Sequence, residues 1–287
     1  MKIGISIPTD LTSPDDLFAW VKRVDEGPYS TLSVLDRVVY SNYDPLVFLA
    51  VAAALTSRVR LMTEILLAPL RNATLLAKEA ASIDVLSKGR LTLGLGVGAR
   101  EDDFLATDAP YKGRGKRLEQ QITQMKQIWS GQKLGEAIDP IGPRPVQSAG
   151  PELILGGVTP KAIGRVARYA DGFVSSLNDA AQIDGFFRLV EQGWQEAQRP
   201  GKPRLIAQID VAFETKQVGQ GANNVRAYYR VTPPFDEYKA STLITTERQL
   251  RDLLKAVEQT GADEAVLFTW STELEQIDRI AEMIASV

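Results

Sequence analysis

Alternation constrains this chain more than any other feature. Short apolar segments that suit strands alternate from end to end with longer segments that suit helices. Residues 2–7, 31–35, 59–67, 91–95, 153–155, 172–174, 205–213 and 264–269 read as strands. Helical patterns follow them at 14–24, 45–55, 73–86, 114–128, 160–169, 180–197, 219–229, 247–260 and 274–284. Strands that are apolar throughout belong to parallel sheets covered by helices on both faces. A doubly wound open sheet would show the same alternation. About eight strand–helix units without a linker favour closure, so the expected fold is α/β, a (β/α)8 TIM barrel. A single domain over residues 1–287 suits that fold. The least regular stretches, 102–112, 129–150 and 219–246, are expected as insertions in the loops of the C-terminal face.

Composition removes several chemistries. The chain has no cysteine, which excludes disulfides, thiolate nucleophiles, zinc–sulfur sites and iron–sulfur clusters. It also has no histidine, so the usual general base near neutral pH and the commonest metal ligand are missing. No carboxylate spacing proposes a metal site. The formal net charge is −3, and no basic cluster is interleaved with aromatics, which argues against nucleic acid and acidic membranes as partners. The longest apolar run, 47–55, is too short to span a membrane, and the N-terminal run is too short for a signal peptide. A cytoplasmic enzyme acting on a small organic substrate is the expectation.

In a barrel, chemistry sits where the strands end. Leu155-Gly156-Gly157-Val158-Thr159-Pro160 ends a strand with two glycines and then opens a helix. It suits a phosphate held on helix N–H groups, and equally a tight turn with Thr159 as an ordinary cap. Gly94-Leu95-Gly96-Val97-Gly98 lacks the spacing of a dinucleotide or P-loop motif. It reads as a strand end approached closely by cofactor or backbone, or simply as close packing. Asp36-Arg37 follows the second strand, either facing the mouth or forming a structural ion pair. Glu64 interrupts an apolar strand, so it must be paired, hydrogen bonded or functional. A bulge within 61–65 would aim it at the site, whereas pairing with Arg37 or Arg71 is the structural alternative. The run Glu101-Asp102-Asp103 reads as a solvated face. Trp20, Trp129 and Trp194 read as packing residues, and Trp270 as the tryptophan nearest a bound ring.

These residues coincide with a family pattern. Its strongest stretch runs from Pro69-Leu70-Arg71-Asn72 through Ser87-Lys88-Gly89-Arg90 into Leu91-Thr92-Leu93-Gly94-Leu95-Gly96. Arg114-Gly115-Lys116-Arg117, Leu153-Ile154-Leu155-Gly156-Gly157, Ala170-Asp171-Gly172-Phe173 and Gly261-Ala262-Asp263-Glu264 extend it. The chain resembles the bacterial luciferase-like family of flavin- or deazaflavin-dependent oxidoreductases. That resemblance implies FMN, or alternatively coenzyme F420, at the C-terminal face. The phosphate end would fall at Gly156, Gly157, Val158 and Thr159, and the ring near Thr63, Glu64 and Gly96, with Gly98 also in the cofactor site. A non-proline cis peptide is implied at about Thr63–Glu64. Many relatives carry Asp-His where this chain has Asp36-Arg37. Arg37 would then neutralise a reduced ring, and Glu64 or Asp36 would handle protons. The implied activity is an FMN-dependent monooxygenase or oxidoreductase, with a flavin reductase as a partner supplying reduced cofactor. An F420-dependent oxidoreductase or reductase is the alternative, and a non-catalytic cofactor-binding barrel the rival from another class. Relatives are often homodimers, and the apolar helix at 45–55 could contribute to such a contact.

Overall fold

The computed structural model describes residues 1–214, 216, 219–230 and 232–285. Eight parallel strands close in chain order: β1 (Lys2–Ser6), β2 (Thr31–Val34), β3 (Arg60–Leu67), β4 (Leu91–Gly96), β5 (Glu152–Gly156), β6 (Gly172–Ser175), β7 (Arg204–Val211) and β8 (Glu264–Thr269). The seam joins β1 to β8 from Lys2↔Glu264 to Ile5↔Leu267. The fold is a (β/α)8 TIM barrel, and the strands lie within a residue or two of the expected bounds.

Around the sheet run α1 (Pro14–Glu26), α2 (Pro45–Leu55), α3 (Ala73–Leu86), α5 (Arg114–Trp129), α6 (Pro160–Tyr169), α7 (Ala180–Glu196), α10 (Glu247–Gln259) and α11 (Glu275–Ala285). Their starts are written locally. Ser13, Asp44, Asn72, Thr159 and Asp179 each accept a hydrogen bond from a first-turn amide, and Thr246 with Gln249 forms a capping box. Two of the stretches expected as insertions carry helices, of which only the one at 219–229 was expected. α4 (Glu101–Ala106) lies between β4 and α5, and α8 (Gln220–Tyr229) and α9 (Phe235–Ser241) lie between β7 and α10. α8 and α9 are helical because they have something to bury. Val225, Tyr228, Tyr229 and Ala240 pack with Leu35, Phe268 and Trp270 in a separate apolar cluster above the barrel. Among the described residues no helix is long and apolar enough to cross a membrane.

Successive side chains on a strand face opposite sides, so residues two apart share the interior. On β3, β5 and β7 this stacks three levels. The lowest holds Arg60, Glu152 and Arg204. The middle holds Met62, Ile154 and Ile206, which pack with Val174 and Val266. The upper holds Glu64, Gly156 and Gln208, and all three line the cavity above.

Candidate active site

A cavity of about 360 Å³ opens at the C-terminal ends of the strands. Its floor is shaped by an irregularity in β3. Pairing with β4 runs Thr63↔Leu93 and then skips to Leu66↔Leu95, so Glu64 and Ile65 stand out of register as a bulge. The Glu64–Ile65 peptide is cis, one residue beyond the expected position, because the irregularity occupies Glu64 and Ile65 themselves. β4 accommodates the bulge with glycines. A Cβ on Gly94 would lie 2.1 Å from the Thr63 carbonyl oxygen, and one on Gly96 would lie 2.1 Å from Ile65 Cδ1. The glycine spacing of β4 is thus explained by the neighbouring strand. Thr63 and Gly96 stand behind Ile65 and do not line the cavity; the Thr63 hydroxyl donates to the Gly94 carbonyl at 2.8 Å.

Glu64 does line the cavity and is 1% exposed. Neither of its carboxyl oxygens has a hydrogen-bond partner among the described residues. Burial pushes its pKa well above the ordinary carboxyl range, Glu264 and Asp210 add to that push, and the nearby Ser33 hydroxyl opposes it. The amide nitrogen of Gln208 in the same floor is also unpartnered. The ion pairs that sequence offered Glu64 go elsewhere. Arg71 pairs with Asp36 at 3.3 Å and with Asp44 at 2.9 Å. Asp36 also lines the cavity and accepts from the Leu67 amide at 2.9 Å. Burial raises its pKa, and Arg71 works against that rise.

Asp36 and Arg37 diverge rather than pair. Arg37 lies outside the cavity lining and its side chain is 1% exposed. It donates to Asp102 at 2.5 Å and to the Tyr228 carbonyl at 2.7 Å, and its Nε stands 3.7 Å from Asp103. Asp103 in turn accepts from the Val38 and Val39 amides at 3.1 and 2.8 Å. Of the acidic run only Glu101 is a solvated residue: Asp103 is fully buried and, with Asp102 and Arg37, ties α4 to the loop after β2 and to α8. A lone charge run looks solvated because its distant partner is invisible locally.

The opposite wall is built by β5 and α6. Gly156, Gly157, Val158 and Thr159 all line the cavity, as does Gly98. Gly157 has φ 145°, and a Cβ there would lie 2.5 Å from that of Ala162, so the turn requires glycine. Thr159 caps α6 through the Ala162 amide at 3.2 Å, leaving the helix N-terminus facing the cavity edge. Arg114 and Arg165 border this wall. Glycine backbone, first-turn amides and positive charge fit a phosphate, and the unpartnered Glu64 and Gln208 groups fit a polar ring above them.

Aromatic side chains roof the cavity. Tyr228, Tyr229 and Phe235 line it. Trp270 does not; it stands behind them with ring centres 5.4 Å from Tyr228 and 6.0 Å from Tyr229, and its Nε1 donates to Asp210 at 2.8 Å. Asp210 also pairs with the buried Lys239 of α9, whose ammonium donates to the Ser176 carbonyl at 2.8 Å. Trp270 therefore braces the roof instead of meeting a ligand.

The family of luciferase-like monooxygenases matches residues 1–285. The chain belongs to this family. The family comprises flavin- or F420-dependent oxidoreductases and monooxygenases, and the chain is an enzyme of that kind. An uncharacterized protein of Mycobacterium tuberculosis is 33% identical over 207 residues, covering 69% of this chain and 72% of that protein. An F420-dependent glucose-6-phosphate dehydrogenase of Amycolatopsis mediterranei is 24% identical over 236 residues, covering 75% and 68%. In fold, the chain is similar to a monooxygenase from Streptomyces bottropensis, with a TM-score of 0.80 at 20% identity, covering 100% and 98%.

Several of the cavity's groups escape a reading of strand ends alone. Gln208 lies inside an apolar strand, where a buried amide is the only signal. Tyr228 and Tyr229 sit in an insertion. Arg100, by contrast, is found by that reading, since it follows β4, but its environment depends on those tyrosines.

Proposed function

We propose that this chain is a deazaflavin-dependent oxidoreductase that exchanges a hydride with a small organic substrate, with Glu64 holding the accompanying proton. The observation that carries this reading is a buried carboxyl in the cavity floor with no hydrogen-bond partner, pushed by burial well above the ordinary carboxyl range. Reduction of a carbonyl leaves an oxygen that needs a proton, and a neutral carboxyl donates one; in the reverse direction its carboxylate takes one back. This answers the absence of histidine. When bound, the cofactor supplies hydride exchange at its ring.

Gly156, Gly157 and Thr159, with the first turn of α6, would hold the phosphate. Arg114 and Arg165 lie there too, and Lys161 and Arg168 flank Arg165 on the outer surface. Glu119 pairs with Arg165 and Arg168 there, and the positive charge left over favours a cofactor with an extended anionic tail over FMN. Asp36 would fix the cavity edge through Arg71. Arg37 would act through the position of Tyr228, and Thr63 and Gly96 through the shape of the bulge. The cytoplasm is the proposed place of work. A flavin reductase partner belongs to the FMN reading. A homodimer is proposed through α2 and α3, whose outer sides expose Val47, Leu55, Leu75 and Leu86; sedimentation at the size of a single chain would overturn it.

Titration with F420 and with FMN, followed by their fluorescence, tests the reading. F420 binding, and its reduction by a member of an alcohol panel, is expected. FMN binding with oxygen uptake would select the monooxygenase, and binding of neither would select the non-catalytic barrel.

A further inference from the structure

Arg100 is a cation without an anion. It lines the cavity where α4 begins, and its guanidinium carbon stands 4.4 Å from the ring centre of Tyr228 and 5.0 Å from that of Tyr229. It has no ion-pair partner among the described residues, and its Nε is buried without a hydrogen bond. The neighbouring carboxylates are committed elsewhere. Asp102 and Asp103 turn to Arg37 and the Val38 and Val39 amides, and Asp36 turns to Arg71 and the Leu67 amide. Stacking on the two tyrosines fixes the guanidinium while using none of its N–H donors. A partly buried charge with its donors unspent is costly unless a ligand completes it.

The surroundings describe that ligand. Tyr229 and Thr232 line the cavity on the same side as the arginine. Phe235, Leu35 and the tyrosine rings supply apolar wall. Arg114, by contrast, donates to the Gly98 carbonyl at 2.8 Å and stacks on Tyr111, and Arg165 pairs with Glu119, so both belong to the phosphate side.

We propose that Arg100, held against the rings of Tyr228 and Tyr229, anchors the carboxylate of an apolar-bodied organic acid, which is the substrate class of this enzyme. The inference rests on the reading that the glycine wall and floor take the cofactor. Arg100 and Glu64 line one cavity, so an acid anchored under the roof presents the rest of its body toward the floor.

Calorimetric titration of the cofactor-free protein with phenylacetate, 4-phenylbutyrate and their neutral amides tests this. At least one acid is expected to bind about tenfold or more tightly than its amide, the worth of a charge-assisted hydrogen bond. R100Q is expected to lose that preference while its affinity for F420 stays unchanged. No acid outbinding its amide would overturn the proposal, and that comparison needs no variant. R100Q weakening F420 as much as the acid would also overturn it, assigning Arg100 to the cofactor. Failure of F420 and FMN to bind would sink the cofactor reading alone, since the acid–amide preference is read without either.

Discussion

The lowest and upper levels of the barrel interior lie four residues apart on the same strands, yet they treat buried polarity in opposite ways. Below, charges complete one another. Arg60 donates to Thr92 at 3.0 Å and to Glu152 at 3.3 Å, and Arg204 bridges Glu152 and Glu264, which also accepts from Ser30. Above, the Glu64 oxygens, the Gln208 amide and the Ser33 hydroxyl are buried with no partner. An apolar level separates the two. A satisfied network specifies and holds a fold, whereas unsatisfied groups cost stability and persist where a site uses them. The lower end of this barrel is built to close it, and the upper end is built to receive something.

The largest expected effect lies below. R204M strands Glu264, whose side chain is 1% exposed, beside Glu152. Breaking a buried pair by removing one partner costs about 3–5 kcal/mol. Urea unfolding should show that loss, while the folded fraction binds cofactor as the parent does. Equal midpoints for R204M and the parent would break the comparison at its lower end. The next effect lies above and takes the opposite form. E64Q keeps the shape of the floor but removes the proton, so turnover should fall about 100-fold or more. Its urea midpoint should stay or rise, because a costly buried acid has gone. Retained turnover in E64Q would remove Glu64 from the chemistry.

The two levels were unequally legible in sequence. The barrel follows from apolar strands and local caps, which depend on neighbours in the chain. Glu64 was visible because a carboxyl in an apolar strand has few innocent explanations. The glycines of β4 were visible but their reason was not, since Gly94 and Gly96 yield to Thr63 and Ile65 of the adjacent strand. Arg37 and the Asp102-Asp103 pair were each visible, but not as partners 65 residues apart. Arg100 gains its meaning only from Tyr228 and Tyr229, brought over the mouth by an insertion with weak helical pattern.

Proton linkage sharpens the contrast. Glu64 has a raised pKa when folded, so above its ordinary value of 4.5 the folded chain keeps a proton that the unfolded chain has lost. The folded state then binds more protons, and stability must fall as pH rises, until Glu64 ionises in the folded protein too. Asp36 shifts in the same direction but is present in both E64Q and the parent, so their difference isolates Glu64. The stability advantage of E64Q should widen above about pH 5, by at most about 1.4 kcal/mol per pH unit. Parallel stability curves would mean that Glu64 is ionised in the folded state.

The smallest expected effects come from two hydroxyls. Thr92 Oγ1 accepts from Arg60 and donates to Glu152 at 2.7 Å, so T92V removes a partner from two charges without changing shape. A hydrogen bond to a charged group is worth about 1.5–3 kcal/mol, and T92V should lose an amount in that range. Ser33 Oγ makes no full hydrogen bond and has the Glu64 carboxyl as a polar neighbour, so S33A removes a buried polar atom that is poorly satisfied. Replacing an unsatisfied group by an apolar one is nearly neutral or stabilising, so the S33A midpoint should match or exceed the parent's. S33A also removes the hydroxyl that opposes the rise in the Glu64 pKa, and the acid limb of its pH–rate profile should move upward. If S33A destabilises as much as T92V, the upper level is as fully bonded as the lower one, and the division between a closing end and a receiving end fails.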